Sequence, residues 1–347
     1  MKIKERLFLK QLYWRTRPAL VEKYLRGKKI HRTANCHSVD RRRVKVAAAQ
    51  LEIKLFKNPV HYVEEMYRHV KKAAESGVQL VVFPEYNSYQ LFGLIPGIES
   101  MAVKLDDTGG GVQSFGVIDL LLFIGNPFNI LSYTTFSSLA REFGIYLMAG
   151  SFPTPIDGSV MNRSALFAPD GALVGVQDKV HLMPKEHKFK LTPGSKLHAF
   201  DTELGRLALP VCMDATYFET FRILEKKGTE IVLLPISDPA SYNYWLALRG
   251  IWPRVQESMV YGVKSALVGD FLGQIHTGKA GIFAPLELTP DRDGVLAEAH
   301  HFDREALVIA ELNLEALNEL KKNHPYLGDG NQRFMKKYFP SVYYETT

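Results

Sequence analysis

At 347 residues, 46% hydrophobic and 23% charged, the chain is long enough for a large hydrophobic core and has the composition of a globular rather than a disordered protein. Its two cysteines, Cys36 and Cys212, exclude a disulfide-stapled fold and fit a reducing compartment. The net charge of +6 is uneven: residues 1–43 hold 14 basic residues against 3 acidic ones, and the rest holds 29 against 34. The positive charge therefore belongs to an N-terminal arm, and the main body is mildly acidic, which argues against a nucleic-acid-binding domain.

In chain order, the arm comes first. Leu20, Val21, Tyr24 and Leu25 recur at helical spacing, so this basic segment is expected to pack on the main domain or on a second subunit rather than to bind lipid. MKIKERLFLKQLYW has no continuous apolar core of the secretory type, and apolar runs such as IDLLLFIG are too short to span a bilayer. A cytoplasmic protein without stable membrane insertion is the expectation.

From residue 44 apolar strands alternate with amphipathic helices. VKVAAAQ (44–50) reads as a strand and residues 59–77 as a helix, with Pro59 in the first turn and Gly77 closing the end. VQLVVFPE (78–85) reads as a strand buried on both faces. FSSLAREFG is helical, IYLMAGSF is a strand, and SALFAPDGALVGVQDKVHL is a hairpin turning at PDG. RLALPVC is a strand, ATYFETFRILEKKG a helix and IVLLPIS a strand. Helical sequence interrupted by Pro253 runs from Trp245 to Tyr261, with both Trp245 and Trp252 read as packing residues. SALVGDF, KAGIFAP and LVIAEL supply the later strands. The pattern defines an α/β layered fold with a mixed sheet.

In such folds reactive groups collect where strands end. Three strand ends here carry them: Glu85 after VQLVVFP, Lys179 after the second hairpin strand and Cys212 after RLALPV. A thiol needs either a depressed pKa or a neighbouring base to act as a nucleophile. A helix starting near Asp214 and a nearby ammonium would favour the thiolate, a carboxylate would accept the proton, and a cation would meet a developing oxyanion. Singly, each residue also has a packing or surface explanation: a small buried thiol, a turn-capping glutamate, a solvated hairpin lysine.

The words around the three residues resemble the nitrilase, or carbon–nitrogen hydrolase, superfamily over roughly residues 44–342. VVFPEY resembles its glutamate motif, DKVHLMP its lysine motif and PVCMDATYFETFR its cysteine motif, while KEHKFKLTPG resembles the segment that holds a second glutamate, here Glu186. The resemblance implies a four-layer αββα sandwich of two mixed β-sheets, with residues 1–43 as a basic extension and 44–342 as the hydrolase domain. It implies that Glu85, Lys179, Cys212 and Glu186 are catalytic and that the Met213 backbone N–H helps to hold an oxyanion. It further implies hydrolysis of a small amide through a Cys212 thioester, with no cofactor or metal and with a homodimer or larger homo-oligomer as the assembly. Met213 and Asp214 after the cysteine, where nitrile-cleaving members have Trp and Glu, favour an amide or N-carbamoyl amine over a nitrile. Acyl transfer and a non-catalytic scaffold are the remaining alternatives.

Tyr86, Tyr217, Ser237 and Asp238 lie beside strand ends and are candidate substrate contacts. His181 and His187 lack zinc-ligand spacing. Glu219 and Arg222 are spaced for a helical ion pair. The long segment 92–135 contains GGG, which reads either as a hinge or as a plain loop, and IDLLLFIG, which reads as an acyl-pocket wall or an ordinary packed helix.

Overall fold

A computed structural model describes residues 3–28, 30, 39–99, 116–324, 331 and 333–338. Cys36, the GGG at 109–111 and most of the closing segment from Pro325 onward lie outside the described residues.

Two helices begin the chain, α1 (Ile3–Arg15) and α2 (Pro18–Arg26). Strand β1 (Val44–Glu52) follows, then α3 (Pro59–Glu75). Helix α3 starts where the Asn58 side chain accepts a hydrogen bond from the Val60 amide, and the chain leaves it through Gly77 at φ +74°. Strand β2 (Leu80–Val82) is shorter than its apolar run, because Pro84 and a left-handed Tyr86 turn the chain away.

Helix α4 (Val117–Phe143) is the main departure from the sequence reading. Over this span the sequence reads as helix in the last third and allows one at IDLLLFIG, but leaves the stretch between them inside a long unassigned segment. Yet the helix continues through Pro127 for 27 residues. By length and composition alone it could cross a bilayer, contrary to the expectation that no segment could. In this fold Leu121, Ile124, Phe128, Leu131, Phe136 and Leu139 are buried in a protein core instead. Gly125 allows its close approach to β3 (Tyr146–Ile156), because a Cβ there would stand 2.6 Å from Pro155.

The remaining strands are β4 (Ser159–Phe167), β5 (Leu173–Asp178), β6 (Ala199–Thr202), β7 (Gly205–Ala208), β8 (Ile231–Ser237), β9 (Tyr261–Phe271), β10 (Gln274–His276), β11 (Gly281–Phe283), β12 (Val295–Glu298) and β13 (Ala306–Leu312). Between them lie α5 (Pro184–Lys188), α6 (Phe218–Lys226), α7 (Tyr244–Arg249), α8 (Trp252–Ser258) and α9 (Leu314–Asn323). Pro253 does not interrupt a helix; it sits in the first turn of α8, where its missing N–H has no partner to lose.

The strands form two mixed sheets with matching plans. One runs β5-β4-β3-β2-β1-β13, the other β6-β7-β8-β9-β11-β12, each with parallel strands at the centre and antiparallel ones outside. A short parallel ladder, Gln50–Glu52 against Ala266–Val268, stitches them together.

Alternating side chains build four layers from this plan. Val46, Ala48, Leu80, Val82 and Met148 face Leu207, Leu233, Val263 and Ile282 in a core between the sheets. On the outer face of the first sheet, Ala47, Val81 and Leu147 meet α3 and α4. On the outer face of the second, Val232 and Leu234 meet Phe221, Ile251 and Val255 of the α6–α8 region. This is the αββα sandwich.

The N-terminal helices join the first outer layer through Leu12, Val21 and Leu25, all buried. Each such side chain contributes up to about 2 kcal/mol of burial. Trp252 is half-buried and donates to the Asp293 carbonyl, but Trp245 is 76% exposed and does not pack in the core. Arg222 pairs with Glu225 rather than with Glu219, because the guanidinium reaches along the helix toward its C-terminal end.

Lys264 is buried on the outer face of β9, its Nζ 5.2 Å from the Phe283 ring centre and without a hydrogen-bond partner among the described residues. Burial pulls its pKa down from 10.5 to about 8.

Candidate active site

Glu85, Lys179 and Cys212 come from three chain segments and meet beyond the ends of β2, β5 and β7. Two backbone devices set the first. Gly150, at φ +80° in a bulge of β3, brings that strand against Pro84, where a Cβ would stand 2.0 Å from the Pro84 carbonyl. The Tyr86 amide then donates to the Ser151 hydroxyl and the Asn87 side chain to the Ala149 carbonyl, fixing the chain on both sides of the bend. Tyr86 itself adopts φ +55°, an uncommon conformation for a bulky residue.

Lys179 follows the hairpin. Its amide donates to the Asn162 carbonyl at 2.8 Å, and Arg163 holds the preceding Asp178 in a bidentate pair at 2.7 and 2.9 Å.

Cys212 opens a 3-10 turn (Cys212–Thr216), and α6 begins only at Phe218, so no α-helix starts at Asp214 to favour the thiolate. Asp214 has a different task. Its fully buried carboxylate accepts from the Val211 amide at 2.9 Å and from the Val180 and His181 amides at 3.0 and 2.7 Å. One side chain thus ties the cysteine turn to the lysine loop. Cys212 sits at φ +45°, a second left-handed residue at the site, with Met213 directly after it in the turn.

The side chains converge on Lys179. Its ammonium lies 2.8 Å from Glu85 Oε1 and 2.8 Å from Glu186 Oε2. Glu85 and Lys179 are each 1% exposed. Glu186 also accepts from the Met183 amide at 2.7 Å, from Asn162 Nδ2 at 3.0 Å and from the Tyr86 hydroxyl. Asn162 Nδ2 reaches Glu85 Oε1 at 2.8 Å as well. The Cys212 side chain lies close enough to the Glu85 carboxylate and the Ser237 backbone for each to influence its titration.

Burial dominates the electrostatics. It lifts the Glu85 carboxyl above its ordinary range; Lys179 opposes that and Glu186 reinforces it. It pushes the Cys212 thiol well up, and the Glu85 charge adds to the effect. For Lys179, burial acts against the charge, but the Glu85 and Glu186 carboxylates outweigh it and hold the ammonium protonated. For Glu186, burial is overcome by Lys179, the Tyr86 hydroxyl and the Met183 amide, which keep the carboxylate ionised. The resting site therefore holds a thiol, not a thiolate, beside a carboxylate of raised basicity. That reverses the expectation of a thiol made acidic by a helix terminus.

The cluster opens on a cavity of about 180 Å³. Glu85, Lys179, Glu186 and Ser237 line one part of it, and Tyr86, Tyr89 and Phe271 form a stacked aromatic wall with centroids 4.6 and 4.1 Å apart. Cys212 is not among the residues lining the cavity; Glu85 and Ser237, which do line it, are its neighbours.

Of the candidate contacts, Tyr86 and Ser237 line this cavity. Tyr217 does not: it lies between the 3-10 turn and α6, is exposed and stacks on His181 at 4.1 Å. Asp238 does not either, since it leaves the strand end in a bridge to Thr277. Sequence reasoning missed Asn162. The available signal is its parity in SVMNRSALF, where Val160, Asn162 and Ser164 are the buried positions of β4, so an amide falls on an inward face. His276 was missed as well; its Nδ1 meets the Ser237 hydroxyl at 2.9 Å on the cavity wall.

Among the described residues, Glu65, His69 and Glu305 bring ligand-type atoms within 4.8 Å of one another, the spacing a metal ion would need. Lys54 and Arg68 already donate to these carboxylates at 2.7–3.2 Å, so the cluster is an ion-pair network with its cations built in.

Fold and site together define a nitrilase-superfamily α/β sandwich with a thiol, a carboxylate and an ammonium at its strand ends. Residues 45–252 match the carbon-nitrogen hydrolase family, and the chain belongs to that family. A probable hydrolase of Bacillus subtilis, YhcX, is 26% identical over 81% of this chain; the chain spans about half of that relative, 52% of its length. A nitrilase of Pyrococcus abyssi is 28% identical over 81% of this chain and 94% of its own. The human omega-amidase NIT2 is 29% identical over 54% of this chain and 69% of its own. Among solved structures, an amidase from Nesterenkonia sp. AN1, in a variant complexed with butyramide, superposes with a TM-score of 0.62 at 18% identity, covering 86% of this chain and 99% of that one. At that identity it shows the shared fold.

Proposed function

We propose that the protein hydrolyses a primary amide through a thioester on Cys212. The observation that carries this is the buried Glu85–Lys179–Glu186 cluster, which lines a cavity and has Cys212 near enough to feel the charges of Glu85 and Lys179. With the thiol pushed up and Glu85 more basic than usual, the base has to act during attack: Glu85 accepts the thiol proton as sulfur adds to the amide carbon. The Lys179 ammonium, locked by two carboxylates, and the Met213 backbone N–H stabilise the oxyanion. Glu85 then returns the proton to the departing nitrogen. The C–N bond breaks, ammonia leaves and the acyl group remains on sulfur. Glu85 next takes a proton from water, hydroxide oxygen adds to the thioester carbon, and the carboxylic acid and the thiol are regenerated. Asn162 and Glu186 act as positioning residues, holding Glu85 and Lys179 in register.

Primary amides incubated with the protein should yield ammonia and carboxylic acid in equal amounts. Cys212→Ala should release neither while its circular dichroism spectrum is unchanged. A Cys212→Ala protein with undiminished turnover would remove the sulfur from the reaction.

A further inference from the structure

We infer that the acyl part of the substrate is uncharged and apolar, about the size of a benzene ring. This rests on the amide-hydrolase reading above and narrows it to a substrate class.

Away from the charged cluster, the cavity wall is built from Phe92, Ile98, Leu120, Leu121, Phe189 and Leu191. Five of these six are buried in the protein, as a preformed wall requires, and Phe189 is partly so. Leu120 and Leu121 belong to α4, which is anchored against β3 at Gly125. The volume of about 180 Å³ is close to that of an apolar cavity of about 150 Å³ that accepts benzene.

Charge points the same way. A substrate carboxylate brought into this space would need a cation to replace its water. Two lysines line the cavity. Lys179 is committed to Glu85 and Glu186. Lys185 is exposed and bonds Gln274 at 2.8 Å. His276, on the same wall, is pushed down to about 4 by burial and then by Lys185, so it stays neutral at neutral pH. Its Nε2 has no hydrogen-bond partner among the described residues. Away from the charged cluster the wall thus offers mainly aliphatic and aromatic surface. The neutral His276 imidazole, the Tyr89 ring and the Gln274 amide are its groups capable of polar contact, with no free cation among the described lining residues.

The test is kcat/KM for acetamide, butyramide, hexanamide, phenylacetamide and succinamate on the full-length protein. Each added methylene should raise kcat/KM about threefold to fourfold until the cavity is full. Phenylacetamide should exceed both acetamide and succinamate by roughly a hundredfold. Leu121→Trp, which fills the wall, should cut the phenylacetamide-to-acetamide ratio at least tenfold. Val117→Phe, at the half-buried start of α4, should do so more mildly if the tryptophan variant melts early.

Succinamate as the preferred substrate, with the preference lost in Lys185→Met, would overturn the inference while leaving the amidase reading intact. So would equal turnover across the series, or a ratio unmoved by both wall variants. Failure to hydrolyse any amide in the panel would defeat the amidase reading and the inference with it.

Discussion

Two charge clusters in this molecule contain the same kinds of groups and do opposite things. Around Glu65 and Glu305, the carboxylates meet Lys54, Arg68 and His69 near the surface. Despite the cost of burial, the ion pairs pull Glu65 well below its ordinary range, and hydrogen bonds to His69 lead the same effect at Glu305. Around Lys179, two carboxylates share one ammonium in a nearly dry site, and burial lifts Glu85 and Cys212 instead. Reactivity follows the shortage of compensation, not the number of charges. The first cluster clamps α3 to the segment before β13, whereas the second keeps a base and a thiol poised beside a cavity.

That contrast is broken or sharpened by four changes, taken from the largest effect down. Glu85→Gln keeps the hydrogen-bonding shape and removes the base, so kcat should fall roughly 10²- to 10⁴-fold with little change in melting temperature. In the wild type, the acid limb of kcat/KM should lie above 4.5, because Glu85 is raised from that value. A limb at or below 4.5 would contradict the burial argument.

Lys264 is the least compensated of these groups, since burial outweighs the attraction of Glu298. Its folded pKa of about 8 lies below the ordinary 10.5, so the folded state resists protonation. The resulting penalty is absent above pH 10.5, grows as pH falls toward 8 and is full below it. Lys264→Met should therefore stabilise the protein by up to about 3 kcal/mol at pH 7 and by little near pH 10.5, read from urea unfolding at both pH values.

Asn162→Ala removes a donor to the Glu85 carboxylate. It should lower kcat roughly tenfold to a hundredfold and move the acid limb to higher pH, with KM nearly constant. An unmoved limb would make Asn162 merely structural. The smallest effect on turnover is expected at the first cluster. Glu65→Gln should leave turnover unchanged and lower stability at neutral pH, by an amount that shrinks in high salt and vanishes as pH falls well below the ordinary carboxylate range.

Much of this was legible in the sequence, for identifiable reasons. Strands β1, β8 and β9 are continuous apolar runs because helices or the other sheet cover both faces, and the truncation of such runs at Glu85, Lys179 and Cys212 marks the site. The two ends of helix α4 were legible as IDLLLFIG and FSSLAREFG, but their continuity was hidden, because Gly125 and Pro127 lower helix propensity locally and packing on β3 overrides that. The start of α6 was misplaced, because Asp214 looks like a helix cap while its carboxylate is spent on three amides from two loops. Asn162 was missed since one amide in a strand carries no signal until parity places it inside. Tyr217 shows the converse: adjacency to a reactive residue does not fix direction, and a 3-10 turn sends it outward.

The most direct test of the central claim is rapid-quench mass spectrometry of the protein during turnover of a primary amide, followed by peptide mapping. The account predicts a transient mass gain equal to the acyl group less one hydrogen, located on Cys212 and absent from Cys212→Ala. An acyl adduct on any other residue, or steady ammonia release from Cys212→Ala, would contradict it.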